Sequence, residues 1–255
     1  VKDWFRHAFD AVYLRLYAHR DEREASQAVA WLINTLQLSA NMSVLDAPCG
    51  AGRHAKALAE HGMNVIGIDL STDLLAEARK RLKAYRGAAL VRADLRTLPF
   101  SSEKFDIVVN FFSSFGYFAD EEENYRVAQE LVRCTRQGGS TVIDFMNAPH
   151  VRNHLVAENR RQTKDGWEIL EKRRLTSAPA PRVEKTTTIR FGEQHQRVIL
   201  ESVRLYEPEE LVQICERAGL SIYGMYGNYT GEPWSEESPR CIVVGKKKRS
   251  SLLWT

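Results

Sequence analysis

Val44-Leu45-Asp46-Ala47-Pro48-Cys49-Gly50-Ala51-Gly52-Arg53-His54-Ala55 passes from a short apolar run, through a glycine-bearing turn, into a helix-forming segment. Such a join is where open α/β sheets take their ligands, because glycine lets the backbone come close and the helix start presents unpaired N–H groups. No G-K-[ST] follows, so the phosphate-binding lysine and metal-binding hydroxyl of a P-loop are absent. The third glycine of a dinucleotide turn is also missing, its place falling to Ala55. Asp46 inside the turn would repel a pyrophosphate but accept a hydrogen bond from a cationic amine.

Working outward, the chain alternates strand and helix patterns. Val29, Leu32, Ile33 and Leu36 fall on one helical face within Arg20–Gln37, ahead of the strand at Ser43–Ala47. A helix over Arg53–Glu60, stopped by Gly62, and a β-branched strand over Asn64–Ile68 complete a βαβ unit. The alternation continues with a helix at Thr72–Leu82, strands at Ala88–Ala93 and Phe105–Phe111, a helix at Glu122–Arg136 and a strand at Ser140–Phe145. Right-handed crossovers close such a chain into a doubly wound α/β domain with a mostly parallel sheet. From Asn147 to Tyr206 the texture changes to polar–apolar alternation at Glu168–Arg174, Val183–Phe191 and Gln196–Tyr206. Gly192-Glu193 suits a hairpin turn and Ala178-Pro179-Ala180-Pro181 separates two strands, so an antiparallel β insertion is expected after the fifth strand. Pro208-Glu209-Glu210 starts another helix, and strands at Leu220–Tyr226 and Cys241–Gly245 bring the main sheet to seven. The expected organisation is an N-terminal helical lid (1–42), a Rossmann-like domain (43–146 and 207–249) and the insertion (147–206).

The bulk numbers fit this picture. The 255 residues are 44% hydrophobic and 27% charged, with a net charge of +3, so no extended basic footprint for nucleic acid is imposed. Cys49, Cys134, Cys215 and Cys241 are isolated, the pattern of a reduced compartment, with no metal spacing. Val1-Lys2-Asp3-Trp4-Phe5-Arg6 is amphipathic rather than a leader, and no apolar run approaches the roughly 20 residues of a membrane span. A soluble, cytoplasmic monomer or homodimer acting on a small molecule is expected, with no membrane or nucleic-acid partner.

Two further carboxylates sit at strand ends. Asp69 closes Val65-Ile66-Gly67-Ile68-Asp69, where an acid can accept from both ribose hydroxyls, and Asp94-Leu95 follows the third strand, where an acid and an amide can read an adenine edge. With Asn110 ending the fourth strand, the order Asp46/Gly50/Gly52, Asp69, Asp94, Asn110 resembles class I S-adenosylmethionine-dependent methyltransferases over nearly the whole length. Phe112-Ser113-Ser114-Phe115-Gly116-Tyr117 and the late insertion resemble the small-molecule members, including sugar N,N-dimethyltransferases. One departure is Pro48, where many members have glycine.

The resemblance implies S-adenosyl-L-methionine as cofactor, with Asp46 and the Gly50–Gly52 backbone near its methionine part. It puts Asp69 and Leu70 at the ribose, Asp94 and Leu95 at adenine, and Asn110 with the cofactor set. Arg20 or Arg53 would pair with the methionine carboxylate, the alternative for Arg20 being an exposed helix-start charge. Methyl transfer needs alignment above all, and a base only when the acceptor arrives protonated. Tyr117 then orients the acceptor or takes a proton, or else packs beside Phe115 and Phe118. His150 is a further candidate base. Ser113 and Ser114 are ligand hydrogen-bonders or turn residues. Tyr13 and Tyr17, four apart on one N-terminal helix, form a lid over cofactor and acceptor or an aromatic docking stripe with Phe9. Tyr229, in a glycine- and aromatic-rich loop, would wall the acceptor pocket. Two other readings remain open. One is an RNA methyltransferase using Lys246–Arg249 and Lys172-Arg173-Arg174, although Asn110-Phe111-Phe112-Ser113 stands where a base-binding N-P-P-[YF] would be. The other is a non-catalytic S-adenosylmethionine-binding regulator.

Overall fold

The computed structural model describes residues 3–17, 22–192 and 195–248. The chain opens with two short helices, α1 (Phe5–Ala8) and α2 (Ala11–Leu16), and a longer one, α3 (Glu22–Leu36). The parallel part follows as β1 (Ser43–Asp46), α4 (Arg53–Glu60), β2 (Asn64–Asp69), α5 (Thr72–Leu82), β3 (Ala88–Arg92), β4 (Phe105–Asn110), α6 (Glu121–Cys134) and β5 (Thr135–Met146). Then come α7 (Ala148–His154), the insertion strands β6 (Glu158–Gln162), β7 (Glu168–Leu175), β8 (Arg182–Phe191) and β9 (His195–Arg204), and finally α8 (Pro208–Arg217), β10 (Leu220–Tyr226) and β11 (Arg240–Lys247).

The main sheet has seven strands in the order β10-β11-β5-β4-β1-β2-β3. The chain winds outward from β1 to β3, then restarts at β4 on β1's other side, so a crevice opens at the carboxyl ends of β1 and β4. Only β11 runs against its neighbours, pairing antiparallel with both β5 and β10. Helices begin where the sequence supplies caps. Ser71 Oγ accepts from the Leu74 amide at 3.1 Å, Asp120 from the Glu122 amide at 2.9 Å, and Glu207 and Glu210 form a capping box on α8. The helix stripes then bury both faces of the sheet. Leu32, Val44, Leu58 and Val65 sit in one layer, and Leu45, Leu131, Ile143 and Phe145 in the other. Each such side chain contributes about 1.5–3 kcal/mol by leaving water.

The insertion is a separate antiparallel sheet, β6-β7-β8-β9, whose Ile169, Ile189 and Ile199 join the same core as α1. Two arginines fasten it to the loop after β4. Arg182 donates to the carbonyls of Phe118 (3.0 Å), Gly116 (3.2 Å) and Tyr117 (3.2 Å). The Arg204 amide donates to Gly116 O at 2.8 Å.

Several boundaries differ from the sequence reading. The single N-terminal helix is broken at Phe9–Asp10, because the Asp10 carboxylate caps a new start by accepting from Val12 and Tyr13 amides at 3.0 and 3.2 Å. The third strand stops at Arg92 and the fifth begins at Thr135. Strand β6 was not foreseen, since Glu-Asn-Arg-Arg-Gln has no apolar alternation and only backbone pairing to β7 makes it a strand. Glu193 of the expected hairpin turn and Arg249 of the basic run lie outside the described residues. Among the described residues no helix is long and apolar enough to cross a membrane.

Candidate active site

At the carboxyl end of β1 the chain turns sharply over the β2 strand. Cys49 N donates to Ile68 O at 2.7 Å, and its sulfur lies where a side chain on Gly67 would be, 2.9 Å from an added Cβ. Cys49, which has no part in chemistry by its sequence context, thus packs the turn against a strand glycine. Gly50 and Gly52 are both left-handed, at φ +54° and +79°, but do different things. A Cβ on Gly50 would meet nothing within 4 Å, so this backbone faces open space in the cavity wall. A Cβ on Gly52 would fall 2.9 Å from Ala78 Cβ of α5. Gly52 therefore allows α4 and α5 to close together and does not line the cavity, contrary to the expectation of ligand contact. Gly52→Ala combines a left-handed residue with overpacking and is expected to destabilise the fold by about 2–4 kcal/mol. Thermal melting should show it, while Gly50→Ala should lower cofactor affinity more than melting temperature.

Asp69 lies in the cavity wall, with Oδ2 accepting from the Gly50 amide at 3.0 Å and Oδ1 from the Ser71 amide at 2.8 Å. The carboxylate keeps acceptor capacity for a ligand hydroxyl. Burial pushes its pKa up to about 6, against the lowering by the Ser71, Gly50 and Leu70 amides. Asp46 is fully buried beneath the turn and does not line the cavity itself. Among the described residues neither of its oxygens has a hydrogen-bond partner. Burial, then the neighbouring Asp69, raises it to about 8, with partial relief from the Ala55 amide, which points toward it without making a full hydrogen bond, and from the charge of Arg53. Leu70, Asp94 and Leu95 continue the wall. Asp94 is held by Arg96 at 2.7 and 3.0 Å; burial alone would raise its pKa, but the Arg96 hydrogen bonds and charge bring it below the usual carboxylate range.

The opposite wall is aromatic. Phe5, Phe9, Tyr13 and Tyr17 come from the N-terminal segment, and Phe112, Tyr117 and Phe118 from the stretch after β4. Phe9 stacks on Tyr117 at 5.9 Å, Tyr13 lies 4.6 Å from Tyr17, and the Trp4 indole donates to Tyr117 O at 3.3 Å. The segment is fastened across the crevice by Ser71 Oγ donating to Phe9 O at 2.5 Å and Ala11 N to Asp73 at 3.0 Å. Tyr17 lies just past the last residue of α2; its hydroxyl accepts from Lys185 Nζ at 2.6 Å and donates to Glu171 at 3.4 Å on the insertion. Ser114 is also in the wall. Burial pushes the Tyr117 phenol well above its ordinary range.

Other expected site residues lie elsewhere. Asn110 is buried behind the wall, its amide donating to Ala47 O at 2.8 Å and Ser114 O at 3.4 Å, so it braces the ends of β1 and β4 against the loop. Ser113 and Tyr229 do not line the cavity; both join Asp144 and Arg240, with the Tyr229 hydroxyl donating to Asp144 at 2.6 Å. His150 is on α7, away from the cavity, with Nδ1 3.2 Å from Glu237 O and its ring stacked on His154. It is therefore not placed to act as a base. Arg20 lies outside the described residues. The wall also holds His54, Phe9 and Phe112, none of which the sequence reading places among the site residues; His54 reads there as structural. Phe112 carried a signal, since it is in the segment directly after β4; Phe9 was weighed only as a docking residue. His54 stacks on Phe111 at 4.6 Å, and burial, then Arg53 and Arg240, push its imidazole down to about 3.

The cavity thus joins a carboxylate-lined floor, without a phosphate-binding lysine, to an aromatic roof. A methyltransferase domain model matches residues 44–139, the span that holds Asp46, Asp69, Asp94 and Tyr117. The chain carries the methyltransferase domain of an S-adenosylmethionine-dependent enzyme. Over 231 residues this methyltransferase is 29% identical to the cypemycin N-terminal methyltransferase of a Streptomyces species, covering 85% of this chain and 87% of the relative. It is 33% identical over 135 residues to a dTDP-3-amino-3,4,6-trideoxy-alpha-D-glucopyranose N,N-dimethyltransferase of Streptomyces venezuelae, covering 52% of this chain and 55% of the relative. Its fold matches the CcbJ methyltransferase of Streptomyces caelestis with a TM-score of 0.81 at 16% identity, covering 97% and 100% of the two chains. The methyltransferase's cofactor is S-adenosylmethionine, and its residues fit that group: the open backbone at Gly50 and the spare acceptor capacity of Asp69 suit a ligand with a diol, and the acid of Asp46 behind the turn adds negative potential for an ammonium.

Proposed function

We propose that the enzyme methylates the nitrogen of a small-molecule amine, with the N-terminal helices as a lid and the insertion shaping the acceptor side. Bound in the cavity, S-adenosylmethionine supplies a methyl group activated on a sulfonium sulfur. Asp69 and Leu70 would hold the ribose, Asp94 and Leu95 the adenine, and the Gly50 backbone the amino-acid end, with Asp46 acting on its ammonium through charge from behind the turn and Arg53 as the cation for its carboxylate. Ser114, Tyr13 and Tyr17 would flank the acceptor.

The observation that carries the choice of nitrogen is the protonation of the roof. Tyr117 is held protonated by burial, and His54, with a pKa of about 3, is too weak a base to take a proton from a hydroxyl. An amine arriving neutral brings its own lone pair and needs no such group; Tyr117 then donates or accepts a hydrogen bond that fixes the acceptor's angle. Of the matched curated relatives, one is named for an N-terminal and one for an amino-sugar N,N-dimethyl transfer, against one named for an O-methyl transfer.

Transfer of labelled methyl into a panel of amino sugars, small amines and short peptides should exceed transfer into RNA or into the matching alcohols. Tyr117→Phe should lower kcat by roughly 10-fold, the worth of one orienting hydrogen bond, without shifting the pH profile. Label appearing in RNA or in hydroxyl acceptors instead would reject this reading.

A further inference from the structure

Behind the cavity lies a buried polar cluster that the cofactor contacts do not explain. Asp144, fully buried on β5, accepts through Oδ2 from the Phe112 amide at 2.9 Å, the Tyr229 hydroxyl at 2.6 Å and Arg240 at 2.9 Å, while Oδ1 accepts from Arg240 Nε. Its backbone carbonyl accepts from the Ser113 amide at 2.9 Å. One residue therefore satisfies two consecutive amides, and those two residues, Phe112 and Ser113, are both left-handed at φ +63° and +56°. Bulky side chains adopt that conformation only where the surroundings enforce it. Arg240 also stacks on the Phe112 ring, 5.1 Å from its centroid, and Arg53 stacks on the same ring at 5.2 Å. Phe112 and Arg53 line the cavity; Asp144, Tyr229 and Arg240 do not.

We propose that Asp144 and Arg240 are positioning residues for the amino-acid end of the cofactor, acting through Phe112 on Arg53. The clamp holds Phe112 in its left-handed turn, the ring fixes the guanidinium of Arg53, and Arg53 meets the methionine carboxylate. This rests on the reading that S-adenosylmethionine occupies the cavity with Arg53 at its carboxylate. The two cations on one ring also explain why Arg240 needs a buried acid: Asp144 neutralises the rear guanidinium and so removes its repulsion of Arg53 across the ring.

Calorimetry on the full chain with two probes tests this. S-Adenosylhomocysteine carries the amino-acid end and 5′-methylthioadenosine lacks it. Arg240→Lys keeps the charge beside Asp144 but loses the planar stack, and Tyr229→Phe removes one clamp hydrogen bond. Arg240→Lys should weaken S-adenosylhomocysteine roughly 3- to 30-fold and leave methylthioadenosine within about twofold. Tyr229→Phe, which disturbs the site less, should show the same selectivity at smaller amplitude and serves if Arg240→Lys does not fold. In a Phe112→Ala background the Arg240→Lys loss should vanish, because the ring that transmits it is gone. Equal losses for both probes, no loss for either, or full additivity with Phe112→Ala would overturn the positioning role. Failure of the wild-type protein to bind S-adenosylhomocysteine would instead overturn the cofactor reading.

Discussion

Asp69→Ala is expected to weaken S-adenosylhomocysteine binding by two to three orders of magnitude, the largest single loss in the cofactor site. The carboxylate has two duties. It accepts the Gly50 amide at 3.0 Å and the Ser71 amide at 2.8 Å, which fixes the turn and the start of α5 relative to each other. It also offers acceptors to a ribose diol. Two charge-assisted hydrogen bonds at about 1.5–3 kcal/mol each account for a loss of this size, before any loosening of the turn. Asp69→Asn, which keeps one carbonyl oxygen, should fall between alanine and wild type. Calorimetry reads both, and binding unchanged in Asp69→Ala would reject the ribose assignment.

The second large effect is linked to pH. Asp46 ionises in the folded protein at about 8, against 3.8 for an unperturbed aspartate, and Asp69 at about 6. Between the unfolded and folded values the native state keeps a proton that the unfolded chain releases. Stability of the free protein therefore falls as pH rises through that window, by up to about 1.4 kcal/mol per pH unit for each group. Binding a ligand ammonium favours the ionised acid, so cofactor affinity should rise over the same range. Asp46→Asn cannot ionise. It should flatten the fall in melting temperature between pH 5 and 8, be more stable than wild type at pH 8, and bind S-adenosylhomocysteine at least about 10-fold more weakly. Identical melting profiles for the two proteins would show that Asp46 stays uncharged for another reason. An acid buried without a full hydrogen bond costs the free protein stability, and the proposed ammonium would offset that cost.

The parallel sheet was legible because β1, β2 and β4 are continuous apolar runs joined to capped helices, and each strand-end carboxylate sits at the sheet edge where topology delivers it. Gly50 and Gly52 were legible as turn residues but not as different ones. Their roles separate only when Ala78 of α5 packs 2.9 Å from the Cβ position of Gly52, a contact no local pattern carries. Ser113 and Tyr229 had the right chemistry and the right chain positions. Ser113 is turned from the cavity by the left-handed backbone at Phe112 and Ser113, which Asp144 holds from 31 or more residues away in sequence, and Tyr229 by donating its hydroxyl to the same Asp144. His150 failed similarly, because α7 carries it outward to Glu237 O. Strand β6 was invisible because its residues have no apolar period and depend on β7 for their conformation.

The grip of Arg182 and Arg204 on Gly116, Tyr117 and Phe118 has an engineering consequence. The second sheet is not a detachable module. The second sheet and the backbone that carries Tyr117 are joined by these hydrogen bonds, so a chimaera that exchanges residues 147–206 for those of a relative imports a new geometry for the loop after β4 as well. Retargeting this scaffold by grafting would have to carry the loop and both arginines as a single transplanted unit.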